Sequence, residues 1–282
     1  MVKRILVPLD PSAYSLAALN MACTLGKKYK AEITGMVILD LPGIERSIGP
    51  IPAGAAYYAE RLEKTKVNEA QYRCQELLVQ FEKKCKKAGV KYKIAERHGR
   101  PSTQIIKESL FYDLIIIGIR TFFHFESQDK AGDSLEKLLD DSITPIYAVP
   151  ENFISSMMTR NDTKVLIAFD GSYPSARALQ RFAQFALPPK PVITLLNSNE
   201  DKEKSTHLLT EAENYLKCHG FKVIKKVWTD KHIIDVVKNK YYDKTDLIVL
   251  GVNSRKGILQ FVLGSLTLSL IKKGKKLLLI GQ

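Results

Sequence analysis

The chain has 282 residues, 45% of them hydrophobic and 26% charged, long for one core and comfortable for two domains of about 100–150 residues each. That composition excludes a disordered chain, and no run of 18 or more uncharged apolar residues is present, so no membrane-spanning helix is expected. The net charge of +13 is uneven: residues 1–150 carry 22 basic and 18 acidic side chains, residues 151–282 carry 21 and 12, a field that favours anionic partners without naming them.

At the start, the apolar stretch Ile5 to Leu9 is too short for a signal peptide. Four cysteines, Cys23, Cys74, Cys85 and Cys218, are scattered without a C-x-x-C pair, as in a reducing, cytoplasmic setting. Short β-branched runs predict strands near 3–9, 32–39, 91–97, 114–118 and 145–149, and helical periods predict helices near 12–29, 61–88, 102–111 and 134–142. From Val67 through Ala70, Cys74, Leu78, Phe81 and Cys85 the apolar residues step by three and four, and the stripe ends before Gly89, a natural residue just past a helix end. Leu41 to Glu60, rich in Gly and Pro, reads as a long loop of the kind that forms a lid or an interface arm. The polar, aperiodic stretch Glu151 to Asp162 separates a domain over 1–150 from one over 163–282.

The second half repeats the first. Strands are predicted near 164–169, 191–197, 221–228, 247–250 and 276–280, with helices near 174–186, 204–219, 231–240 and 265–273. Arg4-Ile-Leu-Val-Pro-Leu-Asp10-Pro-Ser12 runs in step with Lys164-Val-Leu-Ile-Ala-Phe-Asp170-Gly-Ser172 at an offset of 160, and Asp113-Leu-Ile-Ile-Ile-Gly118 with Asp246-Leu-Ile-Val-Leu-Gly251 at an offset of 133. The offset falls by 27, which places the extra residues of the first copy in the 41–60 stretch. Strands alternating with helices predict an α/β fold: two tandem, doubly wound, five-stranded parallel-sheet domains.

In such sheets ligands sit beyond the carboxyl ends of the strands. There the chain reads Gly251-Val-Asn253-Ser254-Arg255-Lys-Gly-Ile-Leu-Gln-Phe-Val-Leu-Gly264-Ser265, followed by an apolar helical stretch that begins at Leu266. Glycines admit a phosphate close to backbone N–H groups, and Ser265 with the first helical amides can donate to it.

The pattern resembles that of the universal stress protein family, whose ATP-binding members carry G-x-x-G, nine residues, then G-S or G-T. Here Gly251, nine residues from Arg255 to Leu263, and Gly264-Ser265 fall at that spacing, and the resemblance covers nearly the whole chain twice. It implies a Rossmann-like, adenine nucleotide alpha hydrolase-like fold. It also implies ATP or AMP as ligand, with Asp170 on the adenosine part and the Ser198 backbone at the adenine. The implied set is Asp170, Ser198, Gly251, Asn253, Ser254, Arg255, Gly264, Ser265 and Leu266. One position departs: the second glycine is Ser254, which keeps an amide and adds a hydroxyl but restricts φ. In the resembled family tandem copies pack face to face like a dimer of single units, so an intramolecular pseudo-dimer is expected, and a homodimer stays open.

The first copy is eroded at the same place. Its loop from Gly118 to Ser134 is two residues longer, Asp133 stands where the second copy has Gly264, and Phe122, Phe123 and Phe125 crowd it, so no triphosphate is expected there. Asp10 and Asp170 each precede a serine and a helix, which fits helix capping as well as ligand contact. The five histidines show no ligand spacing, so no metal site is expected. No nucleophile elbow or Walker pattern occurs, and the loop from Gly251 to Ser265 holds no acid to fix Mg²⁺, so fast ATP turnover is not expected. Two functions remain: a stress regulator or sensor binding a nucleotide in the second domain, or an interaction protein of the same fold that contacts protein or nucleic acid through its basic surface.

Overall fold

The computed structural model describes residues 2–52, 54–123, 134–185, 188–252 and 265–281. The strands of the first half are β1 (Arg4–Pro8), β2 (Glu32–Leu39), β3 (Tyr92–His98), β4 (Leu114–Gly118) and β5 (Ile146–Val149). Those of the second are β6 (Lys164–Ala168), β7 (Val192–Ser198), β8 (Val223–Thr229), β9 (Leu247–Gly251) and β10 (Leu277–Gly281). Central strands such as β4 (LIIIG) and β10 (LLLIG) are buried along their whole length, because helices cover both faces of a parallel sheet and leave no solvent side for a polar residue. The outer β3 is mostly exposed and the outer β8 half-buried, and they carry Lys93, Lys225 and Lys226, charges that discourage pairing with a further strand.

All ten strands form one sheet in the order β3-β2-β1-β4-β5-β10-β9-β6-β7-β8. Neighbours are parallel within each half, while β5 and β10 pair antiparallel with Tyr147 opposite Leu279. The two copies therefore meet edge to edge through their fifth strands, not face to face. Their carboxyl edges point to opposite ends of the sheet.

One face carries α1 (Ala13–Tyr29), α3 (Ala56–Ala88), α6 (Tyr173–Phe185) and α7 (Lys202–Cys218), packed through Leu25, Phe81, Phe182 and Leu209. The other carries α4 (Pro101–Ser109), α5 (Ser134–Asp141) and α9 (Ser265–Lys273), packed through Ile105, Leu138 and Leu270. Each apolar layer runs unbroken across the β5–β10 seam, and the Tyr29 hydroxyl at the end of α1 donates to the carbonyl of Phe185 at the end of α6. The repeated aspartates are structural. Asp113 accepts from the Lys3 and Arg4 amides at 2.7 and 2.9 Å, and Asp246 from the Lys164 amide at 2.8 Å, so each clamps the start of its half's first strand.

Three segments differ from the sequence expectation. The 41–60 stretch is not one long loop: α2 (Leu41–Ile48) occupies its start, with Asp40 accepting from the Gly43 amide as N-cap and Pro in the first turn, a position where a missing N–H is harmless. α3 then begins at Ala56, five residues before the predicted 61. The helix predicted over 231–240 is α-helical only in α8 (Ile233–Val236), and widens into a π-turn over Val237–Tyr241 and a tight turn over Tyr242–Lys244. The linker contains a short 3₁₀ turn, Ser155–Met158, with Met158 buried.

Candidate functional site

At the end of β6 the chain must turn into α6, and Gly171, at φ +77°, supplies the left-handed residue. Asp170 shapes that turn: its Oδ1 accepts from the Ser172 amide at 2.9 Å, and Ser172 Oγ in turn accepts from the Ser175 amide at 3.4 Å. The cap of α6 is thus Ser172, while Asp170 braces the turn before it. Burial raises the Asp170 carboxyl, but hydrogen bonds from the Ser172 and Ser175 hydroxyls and the Ser172 amide outweigh it, so the group titrates below its usual value and is an anion at neutral pH.

β9 delivers Gly251 beside this turn. A Cβ there would stand 2.3 Å from the Pro174 carbonyl carbon and 2.4 Å from the Ser175 nitrogen, so the glycine is needed for the start of α6 to lie against the strand end. That packing role is separate from the phosphate approach the sequence suggested for it. Ser198 ends β7, and its hydroxyl donates to the Lys231 carbonyl at 2.8 Å, pinning the chain that leads into α8.

These elements enclose a cavity of about 270 Å³, with Asp170, Ser198, Gly251, Ser265 and Leu266 on its wall together with Ser172, Ser175 and Thr267. Phe169, Leu196, Ile233 and Leu250 supply an apolar side. The volume lies just below the ~300–1,000 Å³ typical of small-molecule sites, and the mix of apolar wall and a few convergent polar groups is that of such sites. Five of the nine residues expected from the sequence therefore share one cavity. Asn253, Ser254, Arg255 and Gly264 lie outside the described residues. The sequence reasoning missed Ser172 and Ser175, whose signal was the S-x-x-S spacing after Asp170. It also missed Ile233, for which no local signal exists.

The donor set suits a nucleoside phosphate. A carboxylate can accept from sugar hydroxyls, an apolar wall can take a base, and the free amides of a helix start, as at Ser265 of α9, can donate to an anion. Among the described residues no group of three or more His, Cys, Asp or Glu side chains could hold a metal ion.

The corresponding place in the first half is filled by its own chain. Asp10 is buried, and its Oδ1 accepts from the Ser12 amide at 2.8 Å while its Oδ2 accepts from the Phe122 amide at 2.8 Å. Burial pushes this carboxyl above its usual value, against the opposing bonds from Ser12 and Phe122. Ser12, not Asp10, accepts from the Ser15 amide as N-cap of α1. The Phe122 ring stacks on Tyr14 at 6.3 Å between centroids, and Phe123 is fully buried. Phe125 and Asp133 lie outside the described residues.

A doubly wound α/β sheet with a cavity at its carboxyl edge defines a Rossmann-like protein. Within that class the chain belongs to the universal stress protein family, as a tandem member: the universal stress protein family model matches residues 1–149. A universal stress protein of Synechocystis, Slr1230, is 27% identical over 165 residues, which cover 57% of this chain and 55% of that protein. The chain thus spans about half the length of this relative. A universal stress protein structure from Archaeoglobus fulgidus matches 99% of this chain and 98% of its own at 21% identity and a TM-score of 0.67. A putative universal stress protein from Pseudomonas aeruginosa matches 99% of this chain and 92% of its own at 13% identity and a TM-score of 0.60. Both share the fold across both halves. No helix among the described residues is long and apolar enough to cross a membrane.

Proposed function

We propose that the protein is a stress-response regulator or sensor of the universal stress protein type that binds an adenine nucleotide, ATP or AMP, in its second domain without fast turnover. The observation that carries this reading is the cavity that joins Asp170, Ser198, Gly251, Ser265 and Leu266 at one sheet edge, while the matching place in the first half is occupied by Phe122. The domains are 1–150 and 163–282, and the second carries the cavity beside Asp170 at the carboxyl edge of its strands. Asn253, Ser254, Arg255 and Gly264 complete the proposed set, from the resemblance of their spacing to the family pattern.

Each described group has a role in this reading. Asp170 accepts from the ribose hydroxyls, Ile233 and Leu196 flank the base, and the amides at the start of α9 meet phosphate, with Ser265 adding a hydroxyl. None of the lining residues other than Asp170 is a carboxylate, and Asp170 is engaged by the turn, so the wall offers little to fix a metal ion and a water for hydrolysis. The output is conformational: nucleotide stabilises the form that binds it by an amount set by its concentration relative to Kd. Free cysteines, three of them buried, fit a cytoplasmic setting.

Equilibrium binding of labelled ATP to the wild type and to Asp170→Ala tests the reading. Loss of hydrogen bonds to a charged acceptor is worth about 1.5–3 kcal/mol, roughly 10- to 150-fold in Kd. Equal binding by the two proteins, or none by the wild type, would end it. Salt-dependent capture of random DNA by a wild type that ignores ATP would favour the interaction-protein alternative instead.

A further inference from the structure

Helix α9 joins two places that the repeat would treat as separate. Its N-terminal end, at Ser265, Leu266 and Thr267, forms part of the second-half cavity. Eight residues later, about 12 Å along the axis, its C-terminal end emerges at the opposite edge of the sheet, as a crossover between parallel β9 and β10 requires, and because β5 and β10 run antiparallel the strands of the first half end there. That edge belongs to the first half.

The residue waiting there is Arg120, two positions past the end of β4. Its Nη2 donates to the carbonyl of Lys272 at 3.2 Å, one of the last carbonyls of α9, which have no partner within the helix. The guanidinium also lies on Gly274, where an added Cβ would stand 3.0 Å from Arg120 Nε and 3.6 Å from its Cζ. Gly274 sits at φ +65° and its amide donates to the Leu270 carbonyl at 3.1 Å, the left-handed residue that terminates the helix. Arg120 thus covers the helix end as part of a closed stop.

Arg120 is itself held by the closure of the first-half site. The Ile119 amide before it donates to the Val149 carbonyl at 2.8 Å, and the Phe122 amide after it donates to Asp10 at 2.8 Å. Lys272 and Lys273 already place positive charge in the last turn, so a further cation gains little from the helix dipole that those lysines do not supply. What Arg120 adds is a fixed position: a planar fork attached to the sheet of the other half.

We propose that Arg120 is a positioning residue for the nucleotide site of the second half, anchoring the far end of α9 so that its first amides stay aimed at the phosphate. The inference rests on the nucleotide reading above and deepens it. The first half, whose own site is closed by Phe122, takes part in ligand binding by holding the helix that meets the anion.

The geometry separates two parts of the ligand. Asp170 is set by the end of β6 and the turn into α6, away from α9, whereas the phosphate contacts lie on α9 itself. Binding of labelled ATP and labelled adenosine is therefore measured on wild type, Arg120→Ala and Arg120→Lys, with thermal unfolding of each alongside. The expected result is ATP binding about two- to fivefold weaker in Arg120→Ala, the lower range for loss of one side-chain hydrogen bond, adenosine binding unchanged within twofold, and partial recovery of ATP binding in Arg120→Lys. Equal ATP affinity in wild type and Arg120→Ala overturns the inference, and so does an equal loss for ATP and adenosine, which marks general loosening. A wild type that binds neither ligand sinks the nucleotide reading first and this inference with it.

Discussion

Replacing Gly251 with alanine tests the packing on which the site is built. The added methyl would stand 2.3 Å from the Pro174 carbonyl carbon, 2.4 Å from its oxygen and 2.4 Å from the Ser175 nitrogen, against an ordinary contact of 3.4–4 Å. All three neighbours are backbone, so no side chain can rotate away, and the start of α6 must retreat by about 1 Å. Overpacking of a well-filled core costs roughly 1–3 kcal/mol, and a purely backbone clash belongs at the upper end, about 3 kcal/mol. Urea unfolding followed by far-UV circular dichroism should show an unfolding free energy lowered by that amount, with a thermal midpoint reduced by roughly 5–10 °C. Gly118→Ala, at the matching place, is expected to do less, because its closest neighbour is the Tyr14 Cβ at 2.7 Å and the backbone atoms lie at 2.9 and 3.1 Å. Nucleotide affinity should fall in Gly251→Ala as well, since Pro174 and Ser175 line the cavity. A Gly251→Ala protein within about 0.5 kcal/mol of wild type, the usual range of neutral surface changes, would refute the reasoning.

Asp113→Ala should cost about 1–3 kcal/mol in urea unfolding, because the Lys3 and Arg4 amides lose their common acceptor; a change indistinguishable from zero would show that the clamp is incidental. The depressed Asp170 carboxyl predicts a pH signature. A folded-state pKa below the unfolded value of about 3.9 stabilises the fold at higher pH, and that stabilisation disappears as pH falls through the folded value. The difference in stability between wild type and Asp170→Asn should therefore be largest near neutrality and shrink below about pH 4; a difference constant from pH 7 to pH 3 would contradict the assignment.

Much of the architecture was legible because it rests on local patterns. Runs such as Leu114-Ile-Ile-Ile and Leu247-Ile-Val-Leu can be buried only in a sheet covered on both faces, and the two aspartates before them sit at fixed distance from the strands they clamp. The 41–48 helix was hidden by its glycine and proline, yet Asp40 followed by Pro42 is a start signal, cap and first turn. The edge-to-edge join was not readable: Ile146 to Val149 and Leu277 to Gly281 are apolar throughout, so neither records which partner or direction it takes. In the site, Asp170 and Ser265 were visible from the repeat and the glycine spacing. Ile233 reaches the cavity only because Ser198 pins the turn before it, a contact between residues 33 apart in the chain. Closure of the first-half site by Phe122 likewise depends on a bond spanning 112 residues. The phenylalanines were conspicuous, but the amide that occupies Asp10 was not.

Native mass spectrometry of the chain titrated with ATP measures the central claim most directly, because the two halves differ in one countable respect. A cavity beside Asp170 and a Phe122 amide seated on Asp10 predict a single bound nucleotide per chain at saturation. Two equivalent nucleotides, or a spectrum unchanged by ATP, would contradict the account.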